Sequence, residues 1–137
     1  SSAASDVYKR QHKKNVDEDK RKKILVVEDI ESNFVQLNIL LNKEYIISWV
    51  RNGQEAINSF IREKPDLILM DIKMPRMGGL EATRIIRSYS KEIPVIALTA
   101  YAFEADKEQA LEAGCNDFVT KPVSKAALEE ALGKCSG

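Results

Sequence analysis

From Lys23 onward, short apolar blocks alternate with amphipathic stretches along the whole chain. Ile24-Leu25-Val26-Val27 is a short, β-branched apolar run that predicts a strand buried on both faces. Behind it, Phe34, Leu37, Leu40 and Leu41 fall at helical spacing, with Ser32 as the expected N-cap. Tyr45 to Val50 predicts a second strand. Gly53 introduces a helix whose apolar face is Ala56, Ile57, Phe60 and Ile61, and Pro65 stops it. Leu67 to Met70 predicts a third buried strand. The segment Met74-Pro75-Arg76-Met77-Gly78-Gly79 is turn chemistry, leading into a helix that carries Leu80, Thr83, Ile85 and Ile86. Pro94 opens a fourth strand, Val95 to Leu98, where its missing N–H does little harm. Glu104 to Ala113 predicts a helix with Gly114 as its C-cap, Asp117 to Thr120 a fifth strand, and Ser124 to Leu132 a closing helix.

Five strand-then-helix units in about 115 residues predict an α/β fold, a parallel sheet covered on both faces. Right-handed crossovers leave few topologies; the expected one is a flavodoxin-like, doubly wound five-stranded sheet of order 2-1-3-4-5 with five helices. In such sheets ligands bind beyond the carboxyl ends of the strands, at the switch point between strands 1 and 3. The residues that end each strand therefore carry the functional information.

Strand 1 ends in Glu28-Asp29, strand 3 in Asp71, strand 4 in Thr99 and strand 5 in Lys121. Three carboxylates converging at one point repel, and at least one pKa rises unless something compensates. A hard divalent cation such as magnesium, which takes oxygen ligands and keeps positions free for a phosphoryl oxygen, resolves the repulsion. Lys121, followed by Pro122, supplies a cation and Thr99 a hydroxyl for the charge that grows on a transferring phosphoryl group. Asp71 remains as the nucleophile, since a carboxylate can form an aspartyl phosphate. Taken singly, each residue has a blander explanation: a helix-starting acidic pair, a turn aspartate, a core-edge hydroxyl, a loop lysine. Four such accidents at one sheet edge do not.

Composition narrows the alternatives. The chain has 137 residues, 44% hydrophobic and 31% charged, the profile of one soluble globular domain. No uninterrupted apolar run exceeds four residues, so no membrane span is expected, and Ser1 to Lys23 holds no apolar stretch that could serve as a signal peptide. Two cysteines, Cys115 and Cys135, form no metal or disulfide pattern, which points to a reducing, cytoplasmic setting. The one histidine, His12, argues against histidine-based triads and metal sites. The glycines at 53, 78, 79, 114, 133 and 137 make no nucleotide-binding loop. The net charge of zero divides into eight Lys/Arg against four Asp/Glu before Ile24, and 13 against 17 after it. Signs are mixed in the opening segment and Tyr8 is its one aromatic, so residues 1–22 are expected to be a charged linker rather than a nucleic-acid-binding arm, followed by a domain over 23–137.

The runs ILVVED (24–29), DLILMDIKMPRMGGLEATRIIR (66–87), PVIALTA (94–100) and FVTKP (118–122) resemble two-component response-regulator receiver domains, most of all those attached to hybrid sensor histidine kinases. The resemblance covers residues 23 to 133. It implies that Asp71 accepts a phosphoryl group from a phosphohistidine, the partner being a histidine kinase core or a histidine phosphotransfer domain. It further implies a bound Mg2+ (or Mn2+), held by Asp29, Asp71 and the backbone carbonyl of Lys73 directly and by Glu28 through water. Thr99 and Lys121 match the switch hydroxyl and the phosphate-pairing lysine. Phe118 matches the switch aromatic, and Lys73 and Tyr101 the positions that tune acyl-phosphate lifetime. Phosphorylation would then draw Thr99 inward, with the Phe118 ring following and the face of the fourth helix, fifth strand and fifth helix changing.

Three positions depart from the family pattern: Phe118 replaces the usual tyrosine, Gly78 a common aspartate, and Ile30 an asparagine. On this reading the chain is a phosphorelay switch from a hybrid kinase, itself the cytoplasmic part of a membrane-bound protein, with self-phosphorylation and slow dephosphorylation as its only chemistry and no enzymatic turnover. A stand-alone regulator is the alternative, with oligomeric state left open and no nucleic-acid or membrane contact by this chain. A haloacid-dehalogenase-type phosphatase would need a second aspartate where Lys73 stands, and a pseudo-receiver would have lost an acid, Thr99 or Lys121. Trp49, near the end of the second strand rather than beside Asp71, is expected to report poorly on the site.

Overall fold

The computed structural model describes residues 19–74, 77–100 and 103–136. Five strands alternate with five helices. β1 (Lys22–Val27), β2 (Tyr45–Val50), β3 (Leu67–Asp71), β4 (Val95–Thr99) and β5 (Asp117–Thr120) form one sheet in the order β2-β1-β3-β4-β5. Every pairing is parallel, as the topology expected from the sequence requires. The helices are α1 (Glu31–Leu41), α2 (Gly53–Glu63), α3 (Gly79–Tyr89), α4 (Glu104–Ala113) and α5 (Lys125–Ser136).

The apolar runs behave as strands because consecutive side chains point to opposite faces and both faces are covered. Leu25 and Val27 of β1, Ile68 and Met70 of β3, and Val95 and Ala97 of β4 pack with Ala56, Ile57, Ala82, Ile86 and Ala110 from α2, α3 and α4. Their neighbours Ile24, Val26, Leu67, Leu69, Ile96 and Leu98 pack with Leu37, Leu41, Leu128, Ala131 and Leu132 from α1 and α5. Both halves of the core meet at the three central strands, so their carboxyl ends are rigidly placed.

Some boundaries differ from the sequence reading. β1 starts at Lys22, because pairing with Tyr45 extends it two residues before the apolar run. Residues 19–21 precede it as exposed coil, with Arg21 donating to the carbonyl of Asn42 at 3.0 Å; the rest of the expected linker lies outside the described residues. Ser32 does not cap α1. The cap is Ile30, whose carbonyl accepts from the N–H groups of Asn33 and Phe34, so the helix begins directly behind the acidic pair and Ser32 falls inside its first turn. Asn52 caps α2 by accepting from the N–H of Glu55. The left-handed residue at the end of α4 is Gly114 at φ 113°, as expected, whereas α2 ends on a left-handed Lys64 before Pro65. Ser124 is the cap of the last helix, accepting from the N–H of Ala127, and that helix continues past Leu132 to Ser136.

Candidate functional site

The sheet delivers its strand ends to one edge. Asp71 is the last residue of β3, Thr99 the last of β4, Glu28 and Asp29 follow β1, and Lys121 follows β5. Packing on both faces leaves these polar residues deep: Glu28 is 0% exposed, and Asp71 and Thr99 are each 2% exposed. One oxygen each from Glu28, Asp29 and Asp71 lies within 4.8 Å of the others, the cluster expected from the sequence. Lys121 bridges two of these acids, its Nζ standing 2.8 Å from Glu28 Oε2 and 3.1 Å from Asp71 Oδ2. The Lys121 N–H donates to the Thr99 carbonyl at 2.7 Å, which ties the two strand ends together, and the following Lys121–Pro122 bond is cis.

The electrostatics follow from burial. Burial pushes Asp71 upward to about 7; the N–H of Lys73 pulls against this, the nearby Glu28 charge adds to it, and Lys121 opposes it. Glu28 is also raised by burial, but hydrogen bonding and attraction from Lys121 outweigh this, aided by Asp71 and the Ile30 N–H, and it ends below the usual glutamate range. Burial lowers Lys121, yet its two carboxylate partners hold it above the ordinary lysine value. The three groups together favour an ionised Glu28, a charged Lys121 and a proton held near Asp71 around neutrality.

The remaining site residues take distinct places. The N–H of Lys73 donates to Asp71 Oδ1 at 3.0 Å, while its side chain is exposed. Phe118 lies in β5, half-buried, with Lys107 Nζ from α4 at 4.6 Å from its ring centroid. Tyr101 lies outside the described residues. A cavity of about 320 Å³ borders the site, lined by Glu28, Asn33, Leu98, Lys121 and Val123 among others.

Asp29 Oδ1 is buried without a hydrogen-bond partner. An orphaned carboxylate oxygen beside two more carboxylates is the donor set a hard divalent cation satisfies, so the residues present fit such an ion.

Sequence reasoning missed three contributors. Gly79 was legible only as turn chemistry, but a Cβ there would collide with the Asp71 carbonyl and stand 2.8 Å from Ile72 Cα. Its lack of a side chain lets the start of α3 lie against the backbone of Asp71. Gly53 plays the same part from α2, its N–H donating to the Met77 carbonyl at 3.3 Å where a Cβ would be 2.7 Å from that oxygen. Trp49 donates its indole N–H to the Glu28 carbonyl at 2.8 Å, so it meets the backbone of the acidic pair. The Gly79→Ala variant is expected to lose about 2 kcal/mol of stability, since a backbone collision admits little relief. Its phosphoryl uptake should also slow more than that of Gly133→Ala, whose added methyl meets nothing within 4 Å. Denaturant unfolding and timed phosphorylation of both variants check this.

No helix among the described residues is long and apolar enough to cross a membrane. Curated relatives include the polar-differentiation response regulator DivK of Brucella anthropi, 39% identical over 114 residues that cover 81% of this chain and 93% of DivK. Another is hybrid signal transduction histidine kinase I of Dictyostelium discoideum, 40% identical over 120 residues that cover 80% of this chain but 7% of the kinase. Among solved structures, the receiver domain of the sensor histidine kinase PA1611 from Pseudomonas aeruginosa superposes with TM-score 0.79 at 36% identity, covering 85% of this chain and 99% of that one. That structure carries a magnesium ion coordinated in its active site cleft. The receiver domain of the Saccharomyces cerevisiae response regulator Ssk1, crystallised with the histidine phosphotransfer protein Ypd1, superposes with TM-score 0.75 at 35% identity, covering 80% and 85%. The family model for the response regulator receiver domain matches residues 24–133, from the first strand into the last helix and across every strand end described above. The chain belongs to the response regulator receiver domain family, the phosphoryl-accepting domains of two-component signalling.

Proposed function

We propose that this receiver domain takes a phosphoryl group onto Asp71 from a phosphohistidine, with Mg2+ held in the acidic cluster, and that the acyl phosphate then works a conformational switch. The observation that carries the reading is Lys121 Nζ bridging Glu28 and Asp71 while a neighbouring Asp29 oxygen is buried and unpartnered. Asp29 and Asp71, with the Lys73 carbonyl, would hold the cation directly and Glu28 through water; the bound cation supplies charge neutralisation for the transferring phosphoryl oxygens. An Asp71 carboxylate oxygen attacks phosphorus as the phosphorus–nitrogen bond of the donor breaks, and the freed imidazole keeps the electron pair. The Lys73 N–H orients one Asp71 oxygen, and Lys121, already beside the other, turns to pair with the phosphoryl group. Thr99 then donates its hydroxyl to that group, and the Phe118 ring follows the space Thr99 leaves. Lys107 over the Phe118 ring carries the change to α4.

The domain acts on itself alone and turns over no external substrate; Lys73 and Tyr101 set the lifetime of the acyl phosphate. The phosphotransfer partner is a histidine kinase core or a histidine phosphotransfer domain, as with Ssk1 and Ypd1, and the chain is the receiver of a hybrid kinase, working on the cytoplasmic side. The match to DivK over 93% of its length favours a second reading, a stand-alone regulator.

Cation binding supplies its own test. Because Asp71 is raised to about 7, cation must displace a proton below that pH. Mg2+ affinity is expected to fall about tenfold per pH unit below about 7 and to level off above it. Calorimetric titration from pH 5.5 to 8.5 reads this, and a flat profile contradicts it. The function itself is tested by intact mass after incubation with acetyl phosphate: one phosphoryl group is expected with Mg2+, and none without it. No adduct from acetyl phosphate, from a phosphohistidine donor or with beryllofluoride as mimic would replace this reading with that of a phosphorylation-independent interaction module.

A further inference from the structure

Glu28 lies one residue beyond the last paired position of β1, where Val27 faces Val50. Strand ends of this kind usually fray, because the ladder no longer holds the backbone. Here both backbone polar groups of Glu28 are held by the end of β2: its N–H donates to the Val50 carbonyl at 3.0 Å, and its carbonyl accepts from the Trp49 indole N–H at 2.8 Å. The indole thus stands in for the missing ladder donor.

The indole is itself pinned. Phe34 of α1 stacks on it with centroids 4.3 Å apart and planes 3° from parallel. The Arg51 guanidinium lies over the ring at 4.5 Å, and Arg51 also reaches Glu31 at 3.9 Å. A donor held by these two neighbours restrains the orientation of the peptide that joins Glu28 to Asp29. That peptide carries the Asp29 Cα, from which the side chain with the buried, unpartnered Oδ1 extends.

We propose that Trp49 is a positioning residue for the divalent cation site, acting through its indole hydrogen bond to the Glu28 carbonyl to pre-orient the Asp29 carboxylate. The inference rests on the cation reading above and adds a residue to it. Its physical content is preorganisation: without the indole donor the Glu28–Asp29 peptide samples other orientations, and cation binding must then restrict it. Nothing in the local sequence signals this role, since a tryptophan in a half-buried strand is ordinarily read as packing.

The chain has one tryptophan, so ¹⁵N-labelled protein gives one indole N–H resonance. The experiment follows that resonance and the Asp29 and Asp71 amide resonances during Mg2+ titration, and compares Mn2+ affinity of the parent, Trp49→Phe and Phe34→Leu. Trp49→Phe keeps a stacking ring and removes the donor. The expected result is an indole resonance that shifts with the same midpoint as the Asp29 amide, and a Trp49→Phe affinity reduced roughly three- to tenfold, the scale of one hydrogen bond. Phe34→Leu keeps the donor but removes the ring stacked on it, so it should weaken binding by less than Trp49→Phe does. Aspartate amides that move while the indole resonance stays still would overturn the proposal and leave the cation site intact. Unchanged affinity in a folded Trp49→Phe would overturn it as well. A spectrum unmoved everywhere by Mg2+ would overturn the cation reading, and the proposal with it. Should Trp49→Phe not fold, the indole and Asp29 shifts of the parent decide the matter alone.

Discussion

Asp71→Asn is expected to abolish phosphoryl uptake and at the same time to make the metal-free protein more stable at pH 8, by about 2 kcal/mol. The first effect follows from chemistry: an amide is not a nucleophile toward phosphorus, and the side chain at the end of β3 would have no ionised oxygen to offer. The second follows from burial. Asp71 is 2% exposed, close to an ionised Glu28, and raised from 3.8 to about 7. Because the folded-state value stands above the unfolded one, the protonated form favours folding. That contribution is complete below 3.8 and is lost as pH rises through about 7. An asparagine never ionises, so it escapes the loss, although it gives up part of the attraction to Lys121. The advantage of the variant should therefore shrink at pH 5 and shrink again when saturating Mg2+ stabilises the parent. Glu28 works in the opposite sense, its lowered pKa adding stability above 4.5 that is lost as pH falls through its folded-state value, and it is common to both proteins. Denaturant unfolding at pH 5 and pH 8, with and without Mg2+, measures all four differences. A variant no more stable than the parent at pH 8 would show that Asp71 ionises at no cost to the fold.

The other large effect lies at the far end of the sheet. Arg87, near the end of α3, donates to the Gly114 carbonyl at 2.8 Å, to the Ile93 carbonyl at 2.6 Å, to the Ser90 carbonyl at 3.2 Å and to Asn116 Oδ1 at 2.8 Å. That amide oxygen also accepts from the Val95 N–H, so one guanidinium joins the end of α3, the approach to β4, the end of α4 and the approach to β5. Burial lowers the Arg87 pKa, the mark of a cation withdrawn from water for structural ends. Arg87→Met keeps the aliphatic stem and removes the donors, leaving several half-buried acceptors unpaired. The expected cost is about 3 kcal/mol. Because the acidic cluster sits at the opposite strand ends, the folded variant should still accept a phosphoryl group at low temperature with Mg2+ affinity within about twofold of the parent. Thermal unfolding and Mg2+ titration separate these effects. A variant as stable as the parent would reduce the four contacts to surface decoration.

The two cases also show where sequence reasoning reaches. The topology was legible because the buried strands are short continuous apolar runs, and because Gly53, Pro65, Pro94 and Gly114 mark breaks between elements. The acidic cluster was legible because a parallel sheet sends every strand end to one edge, so Glu28, Asp29, Asp71, Thr99 and Lys121 needed only the strand order to be brought together. Arg87 was not legible. An arginine on an amphipathic helix reads as a solvated charge, and its acceptors come from residues 90, 93, 114 and 116, which only the tertiary fold gathers. The hydrogen bond of Trp49 was not legible for the same reason: its position on β2 is plain, but the reach of the indole to the Glu28 carbonyl depends on the β1–β2 register. Ser32 was misplaced because capping preferences are weak beside the demand that a helix start where the acidic pair leaves it. Gly79 was legible only as turn chemistry, whereas its part is to be small.

The most direct test of the phosphoryl-acceptor assignment is to locate the group itself. The protein is phosphorylated from a phosphohistidine donor in the presence of Mg2+, the acyl phosphate is reduced with borohydride, and the peptides are sequenced by mass spectrometry. Conversion of residue 71 to homoserine, with every other aspartate and glutamate untouched, is the expected outcome. Homoserine at position 29 instead, or a stable phosphate that borohydride leaves in place, would contradict it.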